Sequence, residues 1–474
     1  MKRLQGGSGI GALVWLRMAV LVGAACLAAH ASLAQSVRLV PSTSRFAGDG
    51  TNNATIDGPG LATTIPLTAP TYVGSDLSGN IYVADTGNNC IRRVDTTGTM
   101  YVIAGQPTSG SDTCQNSGSV NSDPTTGVWH PSGVALDSAG SLFVADTGHN
   151  CVRRLNSGAS GIASLQPLLG TCLDPSTTSI APAPAGLALD ATGNLYIAIN
   201  DAADNIYQVL RSSPAGGYST VCVVSGAPST AVPTQCPGFT GGVTLNAPQG
   251  LTVDPVGNLY IADSGNACVR EIIGGHPSTA IGKCTNDGTS SNSTTLQTPV
   301  SVTSDAVGHL YVNDNGAGKV YELLANQLTL VAGNGGTGGY TSSQDGHAAV
   351  SNPLLNPQGL AADKSGNVYV ADTNNNIVRI LTQGLLFPET VVSNHSTSQN
   401  LWFMITQAVN LTSGPGGDFQ TFPPNLCSGA LPAPAAGTVE TCQLSLRFQP
   451  TLPGLRTAPL TITDSAASPA VTYR

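Results

Sequence analysis

The sequence predicts an all-β protein: a six-bladed β-propeller of four-stranded antiparallel blades, followed by a small C-terminal β-sandwich. Three observations carry the prediction. A ten-residue phrase recurs six times between Asp76 and Asp372, and beyond about Leu385 that period gives way to alternating apolar strands. The composition agrees: charged residues make up 9% of the chain against 56 Gly and 31 Pro, a mixture suited to short strands joined by many turns. At 474 residues the chain exceeds the roughly 250 to 300 at which a single core stops growing, so two folded domains are expected.

Residues 1–34 read as a secretory signal. Lys2 and Arg3 give a basic start, an apolar stretch runs from about Gly11 to Ala29, and Ser32-Leu33-Ala34 is a small-x-small cleavage site. An uncleaved anchor is the alternative. A lipoprotein signal at Cys26 fits less well, because Gly23-Ala24-Ala25 lacks the large aliphatic residue expected before such a cysteine. Cleavage removes three basic residues and no acid, taking the net charge from −9 to −12. Nucleic-acid affinity comes largely from Lys and Arg neutralising phosphates, so an acidic chain without a basic cluster is not expected to bind nucleic acid.

The propeller is expected over residues 35–383. In register the phrases are Asp76–Asp85, Asp137–Asp146, Asp190–Ile199, Asp254–Asp263, Asp305–Asp314 and Asp363–Asp372, with leading Asp residues 61, 53, 64, 51 and 58 positions apart. The leading Asp bonds amides two residues on, and the Gly three residues later supplies the positive φ of a tight hairpin. Before each phrase lies a short apolar strand such as Gly250-Leu-Thr-Val-Asp254; after it come a loop such as Asp85-Thr-Gly-Asn-Asn89 and a third strand such as Cys90–Val94. Met100–Gly105 and Leu328–Gly333 read as fourth strands. Second strands such as Leu195-Tyr-Ile-Ala198 are apolar on both faces, as stacked blades require.

The pattern Pro-x-Gly-[Leu/Val], then Asp-x-x-Gly-Asn-[Leu/Val]-Tyr-[Val/Ile]-Ala-Asp-[Thr/Ser]-x-Asn, resembles the NHL repeat over roughly Pro70 to Leu381. The third copy departs most, with Ile199 in place of the closing Asp, and the fifth has Asn313-Asp314 in place of Ala-Asp. Ser44–Gly50 resembles a fourth-strand phrase with no strands before it, while the sixth copy lacks a fourth strand of its own. The segment from Val37 to Ala47 is therefore expected to complete the sixth blade and close the ring.

Residues 384–474 carry the strands Gln399–Thr406, Thr441–Phe448 and Leu460–Asp464, which fit a small β-sandwich. Phe448-Gln-Pro-Thr-Leu-Pro-Gly, followed by Leu460-Thr-Ile-Thr-Asp464, resembles Hydin-type immunoglobulin-like domains. Such domains add one more strand where this chain ends at Arg474, which predicts a truncated domain.

Ten cysteines follow the signal, in near-neighbour pairs: Cys90 and Cys114, Cys151 and Cys172, Cys222 and Cys236, Cys268 and Cys284, Cys427 and Cys442. In blades one, two and four the first member opens the third strand and the second lies just past the fourth, at the same end of an antiparallel sheet. Local disulfides are expected, consistent with export to a periplasm, cell surface or medium. Zinc is the competing reading, but no Cys-x-x-Cys pair or His cluster accompanies these cysteines.

The loops after the second strands and the residues before Pro-x-Gly should gather on one face of the disk, the default ligand site. Its candidate residues are His130, Asp85, Asn88, Asp146, His149, Asp263, Asn266, Asp314, Asn356 and Asp372. Resemblance to propeller lyases and lactonases implies a metal on the axis, held by side chains from several blades. Yet the residue before each Pro is Ala69, His130, Ala183, Ala247, Thr298 or Asn356, which is not a metal cage. The repeated Asp residues suggest a local role, binding amides of the loop that follows; calcium held by some of them stays open as the only cofactor. Gly333–Gly338 matches a dinucleotide fingerprint in form but opens no helix, and no nucleophile elbow or His-Glu-x-x-His segment occurs. RNA binding, known for some NHL propellers, needs basic side chains, whereas Arg92-Arg93 and Arg153-Arg154 lie in third strands where Asp residues can pair with them. The expectation is a non-enzymatic binding or scaffold protein that recognises a protein or glycan, without a membrane span after signal cleavage. The alternatives are a lyase- or lactonase-like enzyme and a purely structural surface protein.

Overall fold

The computed structural model describes residues 37–51, 59–108, 111–114, 127–156, 165–169, 172, 183–201, 206–213, 218–223, 245–274, 276–284, 295–324, 327–382, 399–405, 409–415, 419–425, 428–431, 440–448, 460–464 and 471–473. The signal segment and its cleavage site lie outside them. Within them the chain forms strands and single-turn 3-10 segments, and no helix is long and apolar enough to cross a membrane.

Six antiparallel sheets of four or five strands follow one another, each beginning with an inner strand: Tyr72–Ser75, Pro131–Leu136, Pro184–Leu189, Pro248–Val253, Pro299–Ser304 and Pro357–Ala362. These six strands surround an axial cavity of about 260 Å³. The close approach of inner strands explains the Gly of Pro-x-Gly. A Cβ at Gly250 would sit 2.6 Å from Ser301 Cα, and one at Gly359 equally close to Tyr72 Cα, so any side chain would push neighbouring blades apart.

The hairpin between first and second strands behaves as its residues dictate. Asp76 Oδ1 accepts the amides of Ser78 (2.9 Å) and Asn80 (2.8 Å), while Gly79 takes φ +91°. Asp190, Asp254 and Asp363 repeat the arrangement, and there as in blade one the second-strand tyrosine hydroxyl donates to the same carboxylate. Between blades the core is aliphatic. Ala84, Ile91 and Tyr82 of blade one pack with Val134, Leu142 and Val144 of blade two, and Ala262, Val269 and Ile281 of blade four with Val302, Leu310 and Val312 of blade five.

The N-terminal segment closes the ring, with one correction to the expected span. Ser42–Ala47 pairs antiparallel with Ile377–Thr382 and is the missing fourth strand of blade six, and Phe46 packs edge-on against Tyr369 with ring centroids 4.8 Å apart. Val37–Val40 instead turns away at Pro41 and pairs with Gln399–Ile405, because its register partners belong to the C-terminal region. That region forms two four-stranded antiparallel sheets, one of them including Val37–Val40.

Three expected disulfides are formed, Cys90–Cys114, Cys151–Cys172 and Cys268–Cys284, with Cα atoms 5.3, 5.0 and 5.1 Å apart. Cys442 is disulfide-bonded, whereas Cys236 and Cys427 lie outside the described residues.

Deleting residues 36–50 removes the closing strand and should lower the thermal melting temperature sharply; an unchanged melt would refute the closure. Burial pushes the Tyr72 phenol up to about 12, and burial with the neighbouring Asp254 carboxylate does the same to Tyr260. Since the folded state holds these protons more tightly than the unfolded chain, the stabilisation is fully present below pH ~10 and fades as pH rises through about 12. A near-ultraviolet titration should show both phenols ionising late; ionisation near pH ~10 in folded protein would contradict their burial.

Candidate functional site

The loop-bearing end of the disk is organised by the Asp that closes each second strand. A single 3-10 turn follows it, Thr86–Asn88, Thr147–His149, Ser264–Asn266, Asn315–Ala317 or Thr373–Asn375. The next residue is left-handed, with φ 51° at Asn89 and 55° at Asn376, which favours Asn or Gly there.

Each of these carboxylates is sealed from solvent and held from several sides. In blade one Asp85 Oδ1 accepts the Thr68 amide (2.7 Å), and Oδ2 accepts Arg92 Nε (2.7 Å) and Asn88 Nδ2 (2.8 Å). Blade two repeats this with the Trp129 amide, Arg153 Nε and His149 Nδ1. Asp263 receives the Asn246 amide, Arg270 and Asn266, and Asp372 the Leu355 amide, Arg379 and Asn375. Burial pushes the Asp85, Asp263 and Asp372 carboxyls up, against the opposing pull of the guanidinium and the amide donors.

The expected amide partner needs correcting: it precedes the first strand, 17 positions before the Asp, and does not belong to the following loop. Two blades depart from the pattern. Blade five has Tyr321 where blades one, two, four and six have Arg, and Asp314 is held by the Gln297 and Thr298 amides. Blade three has Ile199, which packs with Leu187, Ile197 and Val152.

The residue after the Asp reaches the next blade. The hydroxyls of Thr86, Thr147, Ser264 and Thr373 donate to the carbonyls of Pro131, Pro184, Pro299 and Pro70, and Asn315 Nδ2 donates to that of Pro357. Asn89 Oδ1 accepts the His130 amide and Asn376 Oδ1 the Ala69 amide, both 2.9 Å.

Of the ten residues expected on the ligand face, Asp85, Asn88, Asp146, His149, Asp263, Asn266, Asp314 and Asp372 are buried beneath it, at 0–1% exposure. The Asp carboxylates face backbone amides and, in blades one, two, four and six, the Arg of their own blade, while Asn88, His149 and Asn266 lie against those carboxylates. His130 and Asn356 are exposed. The rim also presents residues that the sequence reading passed over: half-buried Trp129, whose ring centroid lies 5.3 Å from that of His130, and an amide array. In that array Asn315 Nδ2 donates to Asn356 Oδ1 (2.7 Å), Gln358 Nε2 to the same oxygen (3.0 Å), and Asn356 Nδ2 to Asn374 Oδ1 (3.2 Å). The only sequence signal for these residues is that they vary where the rest of the repeat does not.

An axial metal finds few donors. The cavity is lined by aliphatic side chains with Ser75, Thr252, Thr303, Ser304 and Tyr72, and by no carboxylate, imidazole or thiol. Among the described residues one grouping has metal-ligand spacing, Asp85 with Cys90 and Cys114, but its sulfurs are joined to each other and its carboxylate is paired with Arg92. That grouping does not fit a metal.

Fold and loops together define a six-bladed propeller whose repeated polar residues hold the ring. The NHL repeat family matches residues 128–155, 245–272 and 354–381, which lie in blades two, four and six, so the chain carries NHL repeats. No protein of curated function matches it. Among solved structures it is similar to an auxiliary nutrient binding protein from Bacteroides ovatus, at 16% identity and TM-score 0.50, covering 73% of this chain and 77% of that one. It is also similar to virginiamycin B lyase from Staphylococcus aureus (13%, TM-score 0.40, 69% and 83%) and to a gluconolactonase from Xanthomonas campestris (12%, TM-score 0.43, 73% and 96%). At such identities the likeness concerns the fold alone.

Replacing Arg153 by Met leaves Asp146 buried without its cation and should cost about 3–5 kcal/mol in urea unfolding. A loss under ~1 kcal/mol would mean that the pair does not hold the loop.

Proposed function

We propose that the chain is an exported, non-enzymatic binding scaffold, with the loop-bearing end of the propeller as its ligand face and the C-terminal sheets as an immunoglobulin-like spacer or attachment module. One observation carries the reading. The carboxylates that recur blade after blade are consumed by internal ion pairs, while the exposed rim differs from blade to blade. Groups that repeat hold a ring; exposed groups that differ suit recognition of one ligand. The reading calls for no cofactor.

Export is supported by the three disulfides, which persist in oxidising compartments. The lyase- or lactonase-like alternative needs metal ligands converging on the axis, and the cavity between the inner strands offers hydroxyls and aliphatic side chains.

Protein recovered from the exported fraction should begin at Gln35 and contain no stoichiometric zinc after dialysis. One zinc per chain would overturn the non-enzymatic reading, whereas calcium alone would not. Recovery only from the cytoplasm with residues 1–34 intact would overturn export.

A further inference from the structure

We infer that the ligand face binds a neutral oligosaccharide, seated between the Trp129–His130 pair of blade two and the side-chain amide array of blades five and six; the inference rests on the binding-scaffold reading above. The two groups occupy equivalent places in the repeat, before Pro131 and Pro357 and in the loops after second strands, so they share one end of the disk. Blade one lies between them around the ring. At its rim stand Thr68 and Ala69, both half-buried and small.

The chemistry on each side selects the ligand. Trp129 is fixed in place: its amide is bound to Asp146, its carbonyl accepts the Gly148 amide, and its ring lies so close over Gly148 that a Cβ there would be 2.6 Å from it. A rigid aromatic edge beside an exposed imidazole offers an apolar body with a polar tip, at little entropic cost on binding. Opposite it, the amides of Asn315, Asn356, Gln358 and Asn374 orient one another. Each amide carries two donors and an acceptor, more than these mutual bonds consume, and adjacent sugar hydroxyls both donate and accept.

Charge disfavours the competitors. The third-strand arginines beneath the loops are buried against Asp and present no cation to a phosphate or sulfate chain, which leaves half-exposed Lys319 of blade five as the nearest cation to the amide array. A protein partner would need an apolar centre to its interface, and the described residues of the two groups are polar apart from the Trp129 ring.

The sequence supplies its own reporter. After residue 34 the only tryptophans are Trp129 and Trp402, and Trp402 is anchored away from the rim by its Nε1 bond to the Gly346 carbonyl. In Trp402→Phe protein, emission then reports Trp129 alone. Titration with maltoheptaose, cellohexaose, laminarihexaose, xylohexaose and dextran should change that emission saturably for at least one of them. Calorimetry on the unaltered protein should give the same affinity, and dextran sulfate should bind more weakly than dextran. Trp129→Ala should weaken binding by about 30-fold and Asn356→Ala by about fivefold, each measured on protein shown by its cooperative melt to be folded. No response to any neutral sugar, a preference for the sulfated polymer, or full affinity in folded Trp129→Ala protein would overturn the inference while leaving the scaffold reading standing. Cleavage of a bound sugar, seen by chromatography, would overturn the non-enzymatic reading and leave saccharide recognition intact.

Discussion

The buried carboxylate at the end of the second strand, present in five of the six blades, is the interaction on which the propeller depends. In four blades it joins three pieces of chain: the amide that leads into the first strand, the second strand that bears the Asp, and the Arg at the centre of the third. Its neighbour in sequence joins the blade to the next through a proline carbonyl. Aliphatic burial between blades supplies most of the driving force, yet aliphatic faces can slide. A charge that cannot be left unpaired in a dry interior fixes the register. Blades three and five show that the requirement is local: Ile199 fills the site with hydrocarbon, and Asp314 is met by two backbone amides in place of a guanidinium.

Closure makes this arrangement a ring and ties it to the rest of the chain. Ser42–Ala47 completes blade six, and Val37–Val40, separated from it by Pro41 alone, enters a C-terminal sheet. The same junction is pinned from the other side, where Trp402 donates to Gly346 and its ring lies 5.3 Å from that of His347. Blade six therefore cannot lose its outer strand without disturbing the strand Gln399–Ile405.

Most of the propeller was legible in the sequence because its signals are short-range. The Asp-x-x-Gly hairpin, the third-strand cysteines and the orphan Ser44–Gly50 phrase each lie within one blade or at one end of the repeat. What was not legible depends on the ring. That Asp85 lies beneath the face follows from a donor 17 residues earlier and an Arg seven residues later, neither of which belongs to its own turn. The amide array joins Asn315 to Asn356 across a blade boundary, and Ala69 is held by Asn376 from 307 positions away. Val37–Val40 read as propeller because nothing in a four-residue strand tells one sheet from another.

The same geometry explains how such a ring can vary its face without losing its fold. The amide that satisfies each buried Asp belongs to Thr68, Trp129, Asn246, Gln297 or Leu355, and a backbone N–H is supplied by any of them. Because the bond is made by the main chain, the side chain at that position carries no duty to the core and points of chemistry can be placed there freely. Blade two uses the freedom for an aromatic ring, and blades four and five for amides. The residue next in sequence behaves likewise: Ala69, His130 and Asn356 all hold a positive φ, and a hydrogen bond from the preceding blade to the backbone helps to keep Ala69 and His130 there whatever the side chain. Structural load rests on main-chain groups and buried carboxylates, which leaves the exposed side chains of the rim available for recognition.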